Sequence, residues 1–154
     1  MYKLAALFAL LFLGSACATQ PATSATSPRA IASTAYADFD RGDIEAVLGV
    51  MSEDLVWYES EGLPQGGVYQ GPKEVMENVF ATLTGWASYS AVPQIYIEEG
   101  NMVAVRGEYR GVRADTGAEL KVPFVHIWVI ENGEVVTFYQ LTDTVVYNAV
   151  MQAD

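Results

Sequence analysis

The chain has 154 residues, 51% of them apolar, and its 19 Asp and Glu against 8 Lys and Arg leave a net charge of −11. A chain of this length can bury one proper core. An acidic surface without a Lys/Arg cluster repels phosphate backbones and excludes nucleic acid as a partner. The single His and single Cys rule out an internal disulfide and a zinc site built from the usual ligands.

In chain order, Lys3 precedes a short apolar run ending at Leu13, followed by the small residues Gly14, Ser15 and Ala16 and then Cys17. A charged start, an apolar core and a small-residue end make residues 1–17 a secretory signal. It is too short to span a bilayer, which takes ~20 apolar residues. Ala16-Cys17-Ala18 fits ordinary cleavage. The same residues resemble a bacterial lipobox, with Gly14 where leucine is usual, and Cys17 would then be a lipid-bearing first residue. The lipoprotein reading is preferred, with the protein exported to the periplasm and held at the membrane only through that lipid. Removing the signal takes away Lys3 and no acid, so the charge goes from −11 to −12. Residues 18–27, ATQPATSATS, carry no charge and no large apolar side chain, the composition of a flexible tether. The remaining domain spans 28–154.

Ser27-Pro28 supplies an N-cap and an N1 proline, and Ile31, Ala35 and Phe39 recur behind them at helical spacing. Gly42 stops that helix and Asp43 caps a second, with Ile44, Val47, Leu48 and Met51 on its apolar face. Leu55, Trp57 and Glu59 alternate with Val56, Tyr58 and Ser60, which is strand periodicity. GLPQGG reads as turn. A third helix begins near Pro72 and carries Val75, Met76, Val79, Phe80 and Leu83. After Gly85, four runs rich in β-branched and aromatic residues (94–98, 102–112, 121–130 and 135–146) are separated by EEGN, ADTGAE and ENGE. The expected class is α+β: about three helices on one face of a curved antiparallel sheet.

Asn132-Gly133 predicts a two-residue type I′ hairpin. With those residues at the turn's centre, Ile127 lies opposite Phe138 and Val125 opposite Gln140 on one face. His126 then lies opposite Tyr139 and Phe124 opposite Leu141 on the other. Both faces are apolar, so the face carrying Phe124, His126, Trp128, Ile130, Tyr139 and Leu141 is expected to meet a second copy in a homodimer. His126 becomes an interface residue in this register. Asp143 is expected to pair across that interface or with Lys121.

FDRGDIEAVLGVMSEDLVWYESEGLPQGGVYQGPKEVMENVF combines G-D-hydrophobic after a helix, the acidic pair Glu53-Asp54, an acidic strand position and a G-x-x-x-hydrophobic helix start. With VPFVHIWVIENGEVVTFYQLTDT as closing hairpin, it resembles the SnoaL-like branch of the nuclear transport factor 2-like superfamily. That branch is related to ketosteroid isomerases and limonene epoxide hydrolases. The resemblance implies a cone-shaped pocket with one strand face turned into it. Glu59 falls where the isomerases keep a carboxylate general base. Their oxyanion-hole tyrosine falls on Ala35, with Tyr36 about 100° round the helix, and their protonated aspartate falls on Val125. One epoxide-hydrolase acid falls on Gln140, and Arg106, Glu108 and Arg110 read as a solvated ladder. Steroid isomerisation is therefore not expected, since the donors for a developing enolate are missing, and epoxide hydrolysis is not expected, since the Arg between two acids that it needs inside the pocket is not matched.

The expected function is binding of a small, partly apolar molecule, with Trp57, Phe138, Gln140 and Thr142 as ligand contacts and Val125 and Ala35 as neutral wall. The alternatives are a cofactor-free isomerase, cyclase or lyase step with Glu59 as general acid/base, and an interaction domain whose cone is packed core. Glu61 sits at the strand end, at the rim. No G-x-S-x-G, G-x-G-x-x-G or phosphate-loop motif occurs, so no cofactor or metal is expected.

Overall fold

A computed structural model describes residues 26–153; the expected signal, Cys17 and the tether up to residue 25 lie outside them. Helix α1, Pro28–Asp40, starts where Ser27 Oγ accepts the Ala30 N–H at 3.2 Å. Gly42 at φ 74° ends the run. Asp43 caps α2, Ile44–Gly49, by accepting from Ala46 N–H at 3.1 Å. Helix α3, Gly71–Asn78, passes into a 3-10 turn over Phe80–Gly85.

The strands are β1 (Met51–Glu59), β2 (Gly67–Gln70), β3 (Trp86–Glu99), β4 (Met102–Arg113), β5 (Glu119–Glu131) and β6 (Glu134–Thr142). They form one sheet in the order β2-β1-β6-β5-β4-β3. Every neighbouring pair is antiparallel except β1 and β6, which run parallel. The short β2 was not anticipated, since its glycines read as turn.

The hairpin turn is where the sequence put it, with Asn132 at φ 53° and Gly133 at φ 90°, and Glu131 pairs Glu134 and Ile130 pairs Val135 as expected. One step further the register slips. Val129 pairs Thr137, so Val136 is an extra residue on β6. Such a bulge places two residues against one and shifts everything beyond it. Trp128 therefore lies opposite Phe138, His126 opposite Gln140 and Phe124 opposite Thr142.

That slip corrects the facing of β5. Phe124, His126, Trp128 and Ile130 point into the core, each at most 4% exposed, while Val125 is 39% exposed and faces out. His126 is thus no interface residue, and Val125 is no pocket wall. The outer face keeps Tyr139 and Leu141 and adds Tyr58, Val125, Ile95, Ile97 and Val68, all exposed. One row crosses the whole sheet there: Val68, Tyr58, Tyr139, Ile127, Ala104 and Ile97. On β4, Arg106 donates to Gln94 and Arg110 to Glu108, each at 2.7 Å in solvent.

The last strand ends at Thr142 rather than Val146, because Asp143 acts as a helix cap. Its Oδ1 accepts the N–H groups of Val145 and Val146 and opens α4, Thr144–Met151. Asp143 therefore does not pair with Lys121, whose ammonium lies by Glu108 instead. Tyr147 on α4 is 2% exposed, and Asn148 Nδ2 donates to the Gly62 carbonyl at 2.5 Å. This unforeseen helix is tied to the loop after β1.

Candidate functional site

Strand β1 lies between β2 and β6, one strand in from the sheet edge, and its inward side chains lie on the helix-covered face. Leu55, Trp57 and Glu59 are 0%, 6% and 6% exposed, whereas Tyr58 is 37% exposed. The odd-numbered residues look into the cone. Pairing of Trp57 with Phe138 across β1 and β6 stacks their rings at 3.8 Å, and Phe80 meets the indole edge-on at 5.9 Å.

The Glu59 carboxyl is held at both oxygens. Trp57 Nε1–H donates to Oε2 at 2.9 Å, and Gln65 Nε2–H reaches Oε1 at 3.4 Å. Among the described residues no Lys, Arg or His forms an ion pair with it. Burial pushes its pKa up to about 7, and the donors from Trp57 and Gln65 oppose the rise. Desolvation dominates because the charged form has only two donors to replace water.

Glu59 faces a cavity of about 70 Å³. At ~15 Å³ per water, this is room for a few waters, so the cone is not wholly packed core; the cavity is open on one side, so a larger occupant extends through the opening. Its walls are mainly aromatic: Trp57, Phe39, Phe80, Tyr89, Phe138 and Tyr147. Ala35 is wall as anticipated. Tyr147 brings α4 to the site, beside Gln65 and Glu59 in the same wall.

Tyr36 and Tyr109 enter from α1 and β4, and both bond the ring of His126. Tyr36 Oη lies 2.7 Å from Nδ1, and Tyr109 Oη lies 2.5 Å from Nε2. Trp128 Nε1–H donates to Tyr36 Oη at 3.2 Å. Burial without a carboxylate partner drives the His126 pKa down to about 3. Burial likewise raises both tyrosines well above the ordinary phenol range, with the Glu59 charge adding to the rise at Tyr109.

Trp57, Phe138 and Glu59 therefore line one cavity. Gln140 is buried but stands behind the wall: its Oε1 accepts the Ser60 N–H at 3.1 Å. Thr142 is not at the cavity. It lies at the end of β6, where its hydroxyl donates to the Pro123 carbonyl at 2.8 Å. Glu61 is exposed. The site residues that sequence reasoning missed are Tyr36, Tyr89, Tyr109, His126, Tyr147 and Gln65. The inward phase of Tyr109 beside Val103 and Val105 was readable. The positions of His126 and Tyr147 depend on the bulge and on α4. Among the described residues no group of three His, Cys, Asp or Glu side chains comes close enough to hold a metal ion.

Comparison with solved structures finds the same architecture repeatedly. A nuclear transport factor 2-like protein of Burkholderia thailandensis is 30% identical, over 82% of this chain and 98% of its own, with a TM-score of 0.78. TerC, co-crystallised with polyporic acid, is 26% identical over 82% of this chain and 98% of its own, with a TM-score of 0.75. IdmH of Streptomyces antibioticus, a proposed polyketide cyclase, shares the fold at 19% identity and a TM-score of 0.69, over 82% of this chain and 99% of its own. No curated protein matches the chain by sequence. Residues 32–138 match the family model of the SnoaL-like domain. With that stretch covering most of the folded region and the six-stranded sheet enclosing its cavity, the chain belongs to the SnoaL-like domain family.

Proposed function

We propose that the cavity binds a small, largely apolar ring molecule carrying an oxygen function, and that Glu59 moves a proton on it without a cofactor. The observation behind this reading is a buried carboxyl aimed into an aromatic-walled cavity, with no cation among the described residues to fix its charge. With a pKa of about 7, both its forms are populated near neutral pH, as a general acid/base requires. The aromatic walls suit a flat apolar body, and the few polar groups fix its orientation. TerC, of the same fold, was crystallised with polyporic acid, which supports a ring-shaped occupant.

Density for a retained molecule, or its mass after denaturation, gives the ligand. Glu59→Gln then separates two functions. Loss of turnover by about 10²–10⁴-fold with affinity kept supports the acid/base role. Unchanged turnover contradicts it. A pure binding role draws support from the two donors on Glu59, which hold the carboxyl in place. In that case Glu59→Gln weakens affinity and no turnover exists to lose.

We infer further that the domain is a homodimer through the outer apolar sheet face, and that the mature protein is exported and anchored at Cys17. The first draws on the exposed Val68, Tyr58, Tyr139, Leu141 and Ile97. The second draws on the N-terminal sequence, and the mass of the mature N-terminus tests it.

A further inference from the structure

The hydrogen-bonded run at the back of the cavity has more protons than it has internal bonds to use. Tyr36, neutral His126 and Tyr109 bring three: two phenolic and one on the imidazole. The run contains two bonds, Tyr36 to Nδ1 and Tyr109 to Nε2. One hydroxyl proton is therefore left to point out of the run.

The surroundings decide which one. Tyr36 Oη already accepts the Trp128 indole N–H, and its ring is packed by Tyr96, Phe124 and Trp128. Its only hydrogen-bond partners among the described residues are His126 and Trp128. If the histidine donated to Tyr36, the Tyr36 proton would have no acceptor. Donation from Tyr36 to Nδ1 avoids that loss, because an unmade buried bond is costly. His126 then carries its proton on Nε2 and donates to Tyr109. The direction becomes Trp128 to Tyr36 to His126 to Tyr109, each step polarising the next. Tyr109 accepts and still has a proton to give. It lines the same cavity as Glu59 and senses its charge.

Resting on the reading of this cavity as a ligand site, we propose that the Tyr109 hydroxyl is its oxygen-binding donor, held proton-outward by the Nε2–H tautomer of His126, and that the occupant is a ring compound with a carbonyl or other acceptor oxygen at Tyr109. Tyr109 on β4 thus fills a role that the sequence left empty when Ala35 and Val125 fell on the expected donor positions. Tyr36 and His126 act through Tyr109 as positioning residues.

The chain holds one histidine, so its imidazole nitrogens give a single set of signals in 15N-labelled protein without added ligand. The expected spectrum at pH 7 is the neutral Nε2–H tautomer, with that preference lost in Tyr36→Phe. An Nδ1–H tautomer or an imidazolium in the wild type overturns the proposal. A second measurement follows tryptophan fluorescence as acetophenone or α-methylstyrene binds. These probes have the same shape, and only the former has an acceptor oxygen. The wild type is expected to prefer acetophenone by about three- to tenfold, and folded Tyr109→Phe is expected to bind both equally. Preference kept in Tyr109→Phe overturns the proposal. If neither probe binds the wild type, the ligand-site reading of the cavity fails, and the tautomer alone decides the direction of the run.

Discussion

The Trp57 indole N–H donates to the carboxyl of Glu59 at 2.9 Å, from a position two residues earlier on the same inward strand face. Strand alternation alone puts the two side chains on one side. The stack of Trp57 on Phe138 at 3.8 Å then fixes the donor. Removing only that donor isolates its effect. Trp57→Phe keeps an aromatic against Phe138 and is expected to raise the Glu59 pKa by about one further unit, read from the carboxyl carbon shift against pH.

Glu59 and His126 give the protein opposing pH dependences. Glu59 keeps its proton up to about pH 7 when folded, against 4.5 as its ordinary value. The folded state holds the extra proton between those values, and stability falls as pH rises through that window. His126 stays neutral down to about pH 3 when folded, against 6.5 ordinarily. Its contribution is lost as pH falls from 6.5 toward 3. The two slopes offset each other between 4.5 and 6.5. Urea midpoints in the wild type are expected to change little between 4.5 and 6.5 and to drop slightly from there to about pH 7, whereas in Glu59→Gln they rise between 4.5 and 6.5 and then level off. By pH 7 the variant has gained about 3 kcal/mol on the wild type relative to their difference below pH 4.5.

Gly107 makes room for the wall behind His126. A Cβ there would come within 2.2 Å of the Phe124 ring and 2.5 Å of the Val92 carbonyl, and Phe124 stacks on His126 at 4.0 Å. Gly107→Ala is expected to destabilise by about 2–3 kcal/mol through overpacking. Gly49→Ala, with nothing within 4 Å, serves as control and is expected to change stability by less than about 1 kcal/mol. Chemical denaturation of both compares them.

The outer sheet face predicts assembly. Leu141 is 50% and Tyr139 36% exposed, and a charge at either position would be desolvated in a dimer. Leu141→Arg is expected to turn a dimer into a folded monomer, measured by sedimentation at dilute concentration. A wild type that is monomeric at the same concentration contradicts the dimer.

Most of the fold could be read from local chemistry. Ser27, Gly42 and Asp43 mark helix ends through caps and a left-handed turn, and Leu55 to Glu59 shows its facing by alternation alone. The hairpin turn was legible for the same reason. The bulge at Val136 was not, because Val129, Val135, Val136 and Thr137 are all good strand residues and nothing in their order marks the extra one. One residue of slip exchanged the faces of β5 and hid His126 and Trp128 from view. Asp143 was ambiguous in a different way. As a strand residue it is a charge seeking a partner, and as an N-cap it starts α4 and brings Tyr147 to the site. Glu59, Trp57 and Phe138 were found because their placement needed only the parity of β1 and of the end of β6. Tyr36 and Tyr109 acquire their role from contacts across 90 and 17 positions with His126, which no local pattern carries.

The central claim is that Glu59 is a proton-exchanging carboxyl inside an aromatic cavity. Infrared difference spectra between wild type and Glu59→Gln, recorded across pH, isolate its carboxyl band. The account predicts a protonated band that disappears with a midpoint near pH 7. A carboxylate already ionised by pH 5, with a midpoint at the ordinary value of 4.5, would contradict it.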